Sequence, residues 1–175
     1  MRVVAGRFGG RRLESPPGRA TRPTSDRVRE AVFSLLGPLG GERVLDLYAG
    51  SGALGIEALS RGAERADFVE RDARAAATIR RNLEALGPVE TAVHRRDALA
   101  FLRAGGGPYD LVFADPPYSS AARLAGPLSR ALPAVLPDEA VIVTESDKRL
   151  PLELELPLVD ERVYGDTRIA LHRGS

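Results

Sequence analysis

The chain has 175 residues, a length that favours one domain and suffices for a sizeable hydrophobic core. Hydrophobic residues make up 43% and charged residues 28% of it, as in ordinary soluble globular proteins, and no apolar run approaches the ~20 residues of a membrane span. The absence of cysteine excludes disulfides and thiolate metal sites, and two isolated histidines argue against a histidine-rich metal site. Since the start also lacks a signal-peptide h-region, we expect a cytoplasmic protein that binds no metal and no membrane.

The positive charge is concentrated near the start of the chain. The net charge is +1, but the first thirty residues hold eight arginines and three acidic residues, which gives them +5 and leaves −4 for the rest. A basic arm on a near-neutral body suits a phosphate-backbone partner, although a solvated terminus explains the charge equally well. Lys148 is the one lysine among 25 basic residues, a bias that runs through the whole chain and reflects genome composition.

The N-terminal region predicts a hairpin, a loop and a helix. Short apolar stretches on either side of two glycines are typical of a hairpin, and a run rich in proline, glycine and arginine predicts a loop. An apolar stripe at helical spacing then follows a hydroxyl residue that can cap a helix. In chain order these are a hairpin over 2–14 turning at Gly9 and Gly10, a loop over 15–23, and a helix over 26–36 capped by Thr24 or Ser25 and ended by Gly37.

Strands and helices alternate over the rest of the chain. Repeated β–α units imply a mostly parallel sheet with helices on both faces, and two final strands with little between them imply an antiparallel finish at one edge. In open α/β sheets the binding site lies outside the carboxyl ends of the strands. The predicted strands are 43–48, 66–70, 89–94, 109–114, 140–145, 152–158 and 161–171, and the predicted helices are 53–60, 73–86, 97–103 and 121–132.

A glycine-rich loop follows the first of these strands. Gly50, Gly52 and Gly55 form the pattern GxGxxG, which permits a tight turn and lets a ligand touch the backbone. The pattern alone also suits NAD, FAD or a plain turn. Asp46 narrows the choice, because a carboxylate there repels a pyrophosphate but accepts from the ammonium group of S-adenosylmethionine, which carries no phosphate. The alternative is that Asp46 only orders the loop.

Acidic residues end the next two strands. Glu70 closes its strand where an acid can hydrogen-bond both ribose hydroxyls of a bound nucleoside. NAD enzymes share this feature, so Glu70 indicates a nucleoside without choosing one, and a solvated glutamate is the alternative. Asp97 can accept from the adenine 6-amino group, or it can simply cap the following helix.

The strand 109–114 ends in Asp115, Pro116, Pro117 and Tyr118. Two prolines remove two backbone donors and fix φ, so the backbone is stiff and its carbonyls are free. Asp115 and the carbonyl of Pro116 can each accept a proton from one flat NH₂ group, while Tyr118 stacks on the attached base. Two fixed acceptors favour a pyramidal nitrogen and expose its lone pair to a sulfonium methyl group, so the rate comes mainly from orientation and fixed electrostatics. The alternative is a strand-ending turn with an aromatic lid on the core.

In this order the motifs resemble the class I amino-group methyltransferases, and their flanks resemble the RsmD family. The flanking matches are residues 22–33 before the glycine loop, Val-Tyr-Gly-Asp-Thr at 163–167, and the opening residues 1–13. The resemblance covers nearly the whole chain. It implies methylation of guanine N2 in bacterial 16S ribosomal RNA, whereas the chemistry of the residues themselves extends only to a flat amino group.

The resemblance also implies an architecture and partners. The fold is expected to be α/β, the class I (Rossmann-like) methyltransferase fold, with a mostly parallel seven-stranded sheet and one antiparallel strand. S-adenosylmethionine would be the cofactor, S-adenosylhomocysteine the product, and 16S rRNA in an assembled or assembling small subunit the partner. We expect residues 1–37 to form an RNA-contacting hairpin and helix extension and residues 38–175 the catalytic domain, within one compact monomer.

The predicted site residues fall into three groups. The catalytic residues are Asp115, Pro116, Pro117 and Tyr118. The cofactor-binding residues are Thr24, Asp46, Tyr48, Ala49, Gly50, Ser51, Gly52, Gly55, Glu70, Arg71, Asp97 and Ala98. The residues that would meet RNA are Arg2, Arg7, Arg11, Arg12 and Arg22, although Arg22 and Thr24 could equally be a loop anchor and a helix cap. No metal ligand is predicted.

Four other functions fit parts of the sequence. Adenine-N6 methylation of DNA or RNA also uses Asp-Pro-Pro-Tyr, but such DNA enzymes generally carry a recognition insert for which 175 residues leave little room. Glutamine methylation of proteins typically uses Asn in place of Asp115. A dehydrogenase is disfavoured by Asp46 and by the Asp-Pro-Pro-Tyr sequence after the strand 109–114. An RNA-binding module without catalysis would account for the basic arm alone and would leave the strand-end residues unexplained.

Overall fold

The computed structural model describes residues 1–18 and 24–174. Within these ranges the helices are α1 (Asp26–Leu36), α2 (Ala53–Ser60), α3 (Ala73–Leu86), α4 (Ala98–Arg103) and α5 (Ala121–Ala131). The strands are β1 (Arg43–Leu47), β2 (Arg65–Val69), β3 (Thr91–His94), β4 (Leu111–Ala114), β5 (Val141–Asp147), β6 (Leu158–Tyr164) and β7 (Thr167–Arg173). Short 3₁₀ turns precede and follow α5, at Tyr118–Ser120 and Leu132–Val135.

The seven strands form one sheet in the order β3-β2-β1-β4-β5-β7-β6. Strands β1 to β5 pair in parallel, and β7 is antiparallel to both β5 and β6. The predicted seven-stranded sheet with one antiparallel strand is therefore confirmed. Because the strand order reverses between β1 and β4, the carboxyl ends of these two strands border the crevice in which such sheets bind ligands.

Local capping explains why three helices begin where they do. Ser25, Asp72 and Asp97 each accept a hydrogen bond from the backbone N–H three residues later, at 3.2, 2.8 and 3.0 Å. These bonds satisfy backbone donors that the first turn of a helix leaves without a partner. The start of α1 at Asp26 and its end before Gly37 agree with the prediction from sequence.

The core has two halves, one on each face of the sheet. One half lies under the N-terminal segment, α1, α2 and α3, and its largest buried side chains include Phe33, Ile56, Phe68, Ile79 and Phe113. The other half lies under α4 and α5 and includes Leu45, Leu47, Leu102, Leu128 and Leu132. Burial on both faces explains why β1 and β4 are nearly continuous apolar runs.

The N-terminal segment, residues 1–14, folds back as an antiparallel turn with one bridge, Arg2 to Arg12, and not as two full strands. The predicted hairpin strands are shorter in the structure because backbone N–H groups of the first predicted strand donate to α2 and not to the second strand. The carboxylate of Glu57 in α2 accepts from the backbone N–H groups of residues 4–5 at 2.8 and 3.0 Å. The segment is thus held against α2 by a side chain of that helix.

The prediction of a strand over 152–158 is wrong. Leu152 and Leu154 are buried in the half of the core under α5, but residues 152–157 form a loop with a bend, outside the sheet, and the sheet is rejoined only at Leu158. The last two strands are β6 and β7 instead, joined at Gly165, whose φ is +64°. Since that left-handed conformation favours glycine, Gly165 permits the turn that splits the predicted strand over 161–171.

Candidate active site

A cavity of about 620 Å³ opens at the carboxyl ends of β1, β2 and β4. Its volume is in the range of pockets that bind small molecules and cofactors. It is lined by the loops that follow these strands, by the loop after β3 and by part of the N-terminal segment. The lining residues are Met1, Ser15, Pro16, Thr24, Asp46, Tyr48, Ala49, Gly50, Ser51, Ala53, Leu54, Val69, Glu70, Arg71, Arg96, Asp97, Asp115, Pro116, Pro117, Tyr118, Ser120, Arg123 and Leu124.

Asp46 lies at the base of the glycine loop. Its side chain is buried, and its Oδ2 accepts the backbone N–H of Gly55 at 3.0 Å. Burial raises the pKa of Asp46 to about 8; the Gly55 N–H acts in the opposite direction, and the nearby charge of Glu70 raises it further. A cationic group in the cavity beside Asp46 would offset this cost of ionisation.

Gly50 and Glu70 form the next part of the wall. Glu70 is buried and accepts the N–H of Gly50 at 3.0 Å and the N–H of Asp72 at 2.8 Å. Gly50 has a φ of +60°, and a Cβ at this position would approach only the carbonyl oxygen of Tyr48, at 3.9 Å. The backbone here therefore leaves open space beside the carboxylate, into which a ligand can fit.

Tyr48 and Asp97 close the cavity on the side of α4. Tyr48 has a φ of +60°, which is a costly conformation for a residue other than glycine and is frequent at functional sites. Burial raises the pKa of Tyr48 to about 12, with a further contribution from the charge of Asp97, so its hydroxyl is neutral at physiological pH. Asp97 caps α4 and also lines the cavity, so its two predicted roles are compatible.

The loop after β4 brings the predicted catalytic residues to the opposite wall. Pro116 is buried, while Asp115 and Tyr118 are half-buried and line the cavity. Tyr118 begins a 3₁₀ turn that leads into α5. Burial raises the pKa of Tyr118 above its ordinary value, and the charge of Glu145 adds to this, so Tyr118 presents a neutral aromatic ring.

A second cavity, of about 400 Å³, lies on the other side of Tyr118. It is formed by the start of α1, the end of β5 and the turn between β6 and β7. Thr24 donates its Oγ1 hydrogen to Glu145 at 2.7 Å, and the side chains of Tyr118 and Thr167 are hydrogen-bonded. The lining residues are Thr24, Ser25, Arg27, Val28, Tyr118, Glu145, Val163, Tyr164, Gly165 and Thr167. The Tyr-Gly-Asp-Thr sequence near the end of the chain therefore contributes to a wall of this second cavity.

Three of the predicted cofactor-binding residues lie outside the lining of the first cavity: Gly52, Gly55 and Ala98. Gly52 has a φ of +80° and precedes α2, and a Cβ on Gly55 would come within 2.4 Å of Phe68 Cε1. These two glycines therefore allow the loop to turn and α2 to pack closely against β2, a role that the third glycine of such loops generally has.

Four of the five predicted RNA-contacting arginines lie apart from both cavities. Arg2, Arg7, Arg11 and Arg12 are exposed on the N-terminal segment. The guanidinium of Arg7 lies 4.5 Å from the centre of the Phe8 ring, and Arg11 donates to a backbone carbonyl of α3 at 2.8 Å. Arg22 lies outside the described residues.

Several residues of the two cavities were not predicted from the sequence. In the first cavity they come from the first sixteen residues, from the strand ends and from the starts of α2 and α5: Met1, Ser15, Pro16, Ala53, Leu54, Val69, Arg96, Ser120, Arg123 and Leu124. The more informative omission is Glu145, which is buried and lines the second cavity. Glu145 ends the predicted strand 140–145 just as Glu70 ends its own strand, and this parallel in the sequence could have identified it.

The first cavity fits S-adenosylmethionine on three features of the structure. Asp46 provides a buried acid for an ammonium group, Glu70 lies beside open space at Gly50, and Asp97 lies at the end of the next strand. Among residues 1–18 and 24–174, no group of three or more histidine, cysteine or acidic side chains is arranged to hold a metal ion. In the same ranges, no helix has both the length and the apolar character needed to cross a membrane.

The strand order and the strand-end residues define the class of protein. An open sheet with an antiparallel β7 between β5 and β6, a glycine loop after β1 and Asp-Pro-Pro-Tyr after β4 form the class I fold of S-adenosylmethionine-dependent methyltransferases. The predicted fold class is confirmed.

Comparison with known proteins narrows the class to one family. Residues 1–173 match the model of the family described as "Conserved hypothetical protein 95". The chain is 39% identical to YlbH of Bacillus subtilis (strain 168), covering 99% of this chain and 98% of that protein. It is 38% identical to Ribosomal RNA small subunit methyltransferase D of Escherichia coli (strain K12), covering 99% of this chain and 89% of that protein. The solved structure of yhhF from Escherichia coli superposes with a TM-score of 0.85 at 35% identity and covers 100% of this chain and 98% of that one.

The chain therefore belongs to this family, which is the RsmD family that its motifs predict.

Proposed function

We propose that the protein transfers a methyl group from S-adenosylmethionine to the N2 amino group of one guanine in 16S ribosomal RNA. The observation that carries the reaction type is the position of Tyr118, which lines both cavities and has Asp115 and Pro116 beside it. An aromatic ring at the boundary between a cofactor-sized cavity and a base-sized cavity, with two acceptors beside it in the first cavity, suits methyl transfer to a flat amine. The rRNA substrate and the guanine are supported by membership of the family and by the name of the Escherichia coli relative.

In this proposal the carboxylates of the first cavity orient the cofactor. Asp46 accepts from the ammonium group, Glu70 from the ribose hydroxyls and Asp97 from the adenine amino group, with Gly50 in backbone contact. S-adenosylmethionine supplies an electrophilic methyl group on a sulfonium centre. Each of these contacts is charge-assisted, and such hydrogen bonds are about twice as strong as those between neutral groups.

The loop after β4 then orients the nucleophile. Asp115 and the carbonyl of Pro116 accept the two protons of the amine, and the ring of Tyr118 stacks on the base. Because the prolines fix the backbone, these acceptors need not reorganise as charge develops on nitrogen. The product ammonium group is acidic enough to lose its proton, so Asp115 need not be a strong base. A base in folded RNA must be unstacked before it can reach Tyr118.

The remaining parts of the proposal concern the setting of the reaction. Exposed arginines on the N-terminal segment, together with Arg22, would contact RNA phosphates of an assembled or assembling small subunit. The segment would act with α1 as an RNA-contacting extension of the catalytic domain. We propose that the protein works as a cytoplasmic monomer, because the ribosomal particle itself would present the base to so small an enzyme.

The first experiment is transfer of labelled methyl groups from S-adenosylmethionine to small subunits that lack the modification, followed by identification of the product nucleoside. We expect N2-methylguanosine from a single site. N6-methyladenosine as the sole product would preserve the chemistry of the site but contradict the guanine assignment. No transfer to subunits, naked RNA or DNA would contradict the proposed substrate altogether. Chemical cross-linking and sedimentation of the active enzyme test the proposed oligomeric state, and we expect a monomer in both.

Replacing Asp115 tests the catalytic loop directly. In Asp115→Ala the amine loses one of its two acceptors, and we expect kcat to fall about 100-fold or more. The variant Asp115→Asn keeps a carbonyl acceptor and should retain an intermediate rate. Binding of S-adenosylhomocysteine, measured as a rise in melting temperature, should persist in both variants. Unchanged turnover in Asp115→Ala would exclude the proposed role.

A further inference from the structure

The second cavity contains a buried acid, Glu145, at the same level of the sheet as the start of the proposed catalytic loop, residues 115–118. Strands β4 and β5 pair in parallel, with Ala114 opposite Thr144, so Asp115, the first residue after β4, comes beside Glu145, which is still within β5. Glu145 is 6% exposed and lines the second cavity together with Tyr118. A base that stacks on Tyr118 with its amine at Asp115 would therefore present its adjacent edge to Glu145.

The position of Glu145 is fixed by its neighbours. Thr24, just before α1, donates to Glu145 Oε2 at 2.7 Å, and Glu145 pairs with Ile169 of β7 on its other side. A carboxylate offers about four acceptor positions, so the bond from Thr24 can hold its orientation while it accepts from a ligand. The negative charge of Glu145 is close enough to Tyr118 to contribute to the raised pKa of its phenol.

Asp115 and Pro116 cannot by themselves distinguish the two purines. They accept the two protons of an exocyclic amine, which adenine and guanine both carry. The bases differ at the neighbouring ring position: N1 of guanine carries a proton and donates, whereas N1 of adenine is an acceptor. Enzymes that act on an extruded base generally read this Watson–Crick edge through hydrogen bonds.

We infer that Glu145 determines base specificity by accepting the N1–H of guanine while the catalytic loop holds the N2 amine. The inference rests on the proposed guanine-N2 methylation and names the side chain that selects the base. The N1–H and the N2 amine are adjacent donors on the Watson–Crick edge of guanine. They match two adjacent acceptors, Glu145 on β5 and Asp115 after β4. An adenine N1 at the same place would set a lone pair against a buried carboxylate, which is strongly unfavourable.

The test uses the full-length protein and two substrates that differ at N1. Small subunits are reconstituted with RNA that carries either guanine or 2,6-diaminopurine at the position that the unaltered enzyme methylates. Both bases have the 2-amino group, but N1 of 2,6-diaminopurine is an acceptor. We expect the unaltered enzyme to prefer guanine in kcat/KM by about 10- to 100-fold, the range for one charge-assisted hydrogen bond made or lost.

The variant Glu145→Gln should reduce that preference about tenfold or more, because its amide can donate to an acceptor at N1. Glu145→Asp keeps a carboxylate and should remain selective for guanine even where its rate is lower. Asp147→Asn removes a negative charge from the same strand but leaves Glu145 in place, so its preference should equal that of the unaltered enzyme. Stabilisation by S-adenosylhomocysteine reports whether each variant is folded.

The outcomes separate two kinds of failure. If the unaltered enzyme produces no N2-methylguanosine, the proposed function and this inference both fall. If it does, and Glu145→Gln loses rate equally on both substrates or keeps the full preference for guanine, the inference alone is overturned. An equal loss of preference in Asp147→Asn would also overturn it, since the effect would then come from local charge and not from contact.

Discussion

Glu57 and Asp46 are both buried carboxylates on neighbouring elements, α2 and β1, yet their surroundings differ. Glu57 is surrounded by donors of the protein itself: two backbone N–H groups of the N-terminal segment and the guanidinium of Arg61, at 2.8, 3.0 and 2.7 Å. Asp46 accepts the N–H of Gly55 and lines the cavity, and burial raises its pKa to about 8. Glu57 therefore has its hydrogen-bond donors within the protein, whereas Asp46 is buried in a way that disfavours its ionised form.

This difference separates structural acids from those that await a ligand. A buried charge is costly unless it is paired and hydrogen-bonded, and three donors at Glu57 meet that requirement. For Asp46, a ligand that brings a positive charge would meet it. The contrast therefore predicts opposite effects of neutralising these two side chains, one lowering and the other raising the stability of the free protein.

The largest expected loss of stability is that of Glu57→Ala. The change leaves Arg61 and the N–H groups of two half-buried residues without their acceptor, and we expect a loss of about 3 kcal/mol in the free energy of unfolding. For a chain of this length that corresponds to about 6–12 °C in Tm. Thermal unfolding followed by circular dichroism measures it.

Matched variants sharpen this prediction. Glu57→Gln keeps one acceptor oxygen and should lose less stability than Glu57→Ala. Glu64→Ala removes an exposed acid shortly after α2 and should change stability by no more than about 0.5 kcal/mol. If Glu57→Ala unfolded at the same temperature as Glu64→Ala, the N-terminal segment would not be fastened in the way that its hydrogen bonds indicate.

Asp46→Asn is expected to have the opposite effect and to raise stability. Because the pKa of Asp46 is about 8 in the folded protein and about 3.8 in the unfolded chain, the unfolded state releases its proton first. The free energy of unfolding therefore falls between pH 4 and pH 8 on account of this group. Asparagine can still accept from Gly55 and carries no proton to lose, so the variant should melt several degrees higher at pH 8 and at the same temperature near pH 4.

The same substitution should weaken binding of S-adenosylmethionine, about tenfold at pH 8, because the proposed ammonium contact loses its charge. Calorimetric titration at that pH measures the affinity. A variant that gains stability and loses affinity would mark Asp46 as a residue kept for function at a cost in stability. If the Tm of the unaltered protein and that of Asp46→Asn changed in parallel between pH 4 and pH 8, Asp46 could not have the raised pKa assigned to it. Glu64→Gln serves as the control, because it neutralises an exposed acid.

Much of the fold could be predicted because its determinants are local. The caps at Ser25, Asp72 and Asp97 act on N–H groups three residues away, so the start of each helix can be inferred from a few neighbouring letters. The predicted strand over 152–158 is largely a loop in the structure, because leucines at alternate positions give the same pattern whether or not the chain joins a sheet. Pairing with a neighbouring strand is a long-range property that the pattern does not contain.

The candidate site divides in the same way. A parallel sheet brings successive strand ends to one edge, so Asp46, Glu70, Asp97 and Asp115 could be assigned to one site from their positions near the ends of strands. Glu145 satisfies the same rule but has no neighbouring motif to distinguish it. Its bond to Thr24 joins residues 121 positions apart, and only the folded chain reveals that contact.

The smallest expected effect concerns the surface of the N-terminal segment. Replacing Arg11 and Arg12 together with alanine should leave stability nearly unchanged, since both side chains are exposed. If they contact phosphates, RNA affinity should fall about tenfold at low salt, and the slope of log K against log salt should become shallower by about 1.5. Arg103 and Arg130 are also exposed and provide a double variant of equal charge away from the segment.

Single variants divide the effect further. Arg11 donates to the carbonyl of Ala85 at 2.8 Å and lies 5.9 Å from the centre of the Phe8 ring, so part of its bonding capacity is used within the protein. We therefore expect Arg12→Ala to reduce the salt slope at least as much as Arg11→Ala. If the double variant kept the slope of the unaltered protein, the segment would have only a structural role, and the anchoring by Glu57 would serve the fold and not the RNA.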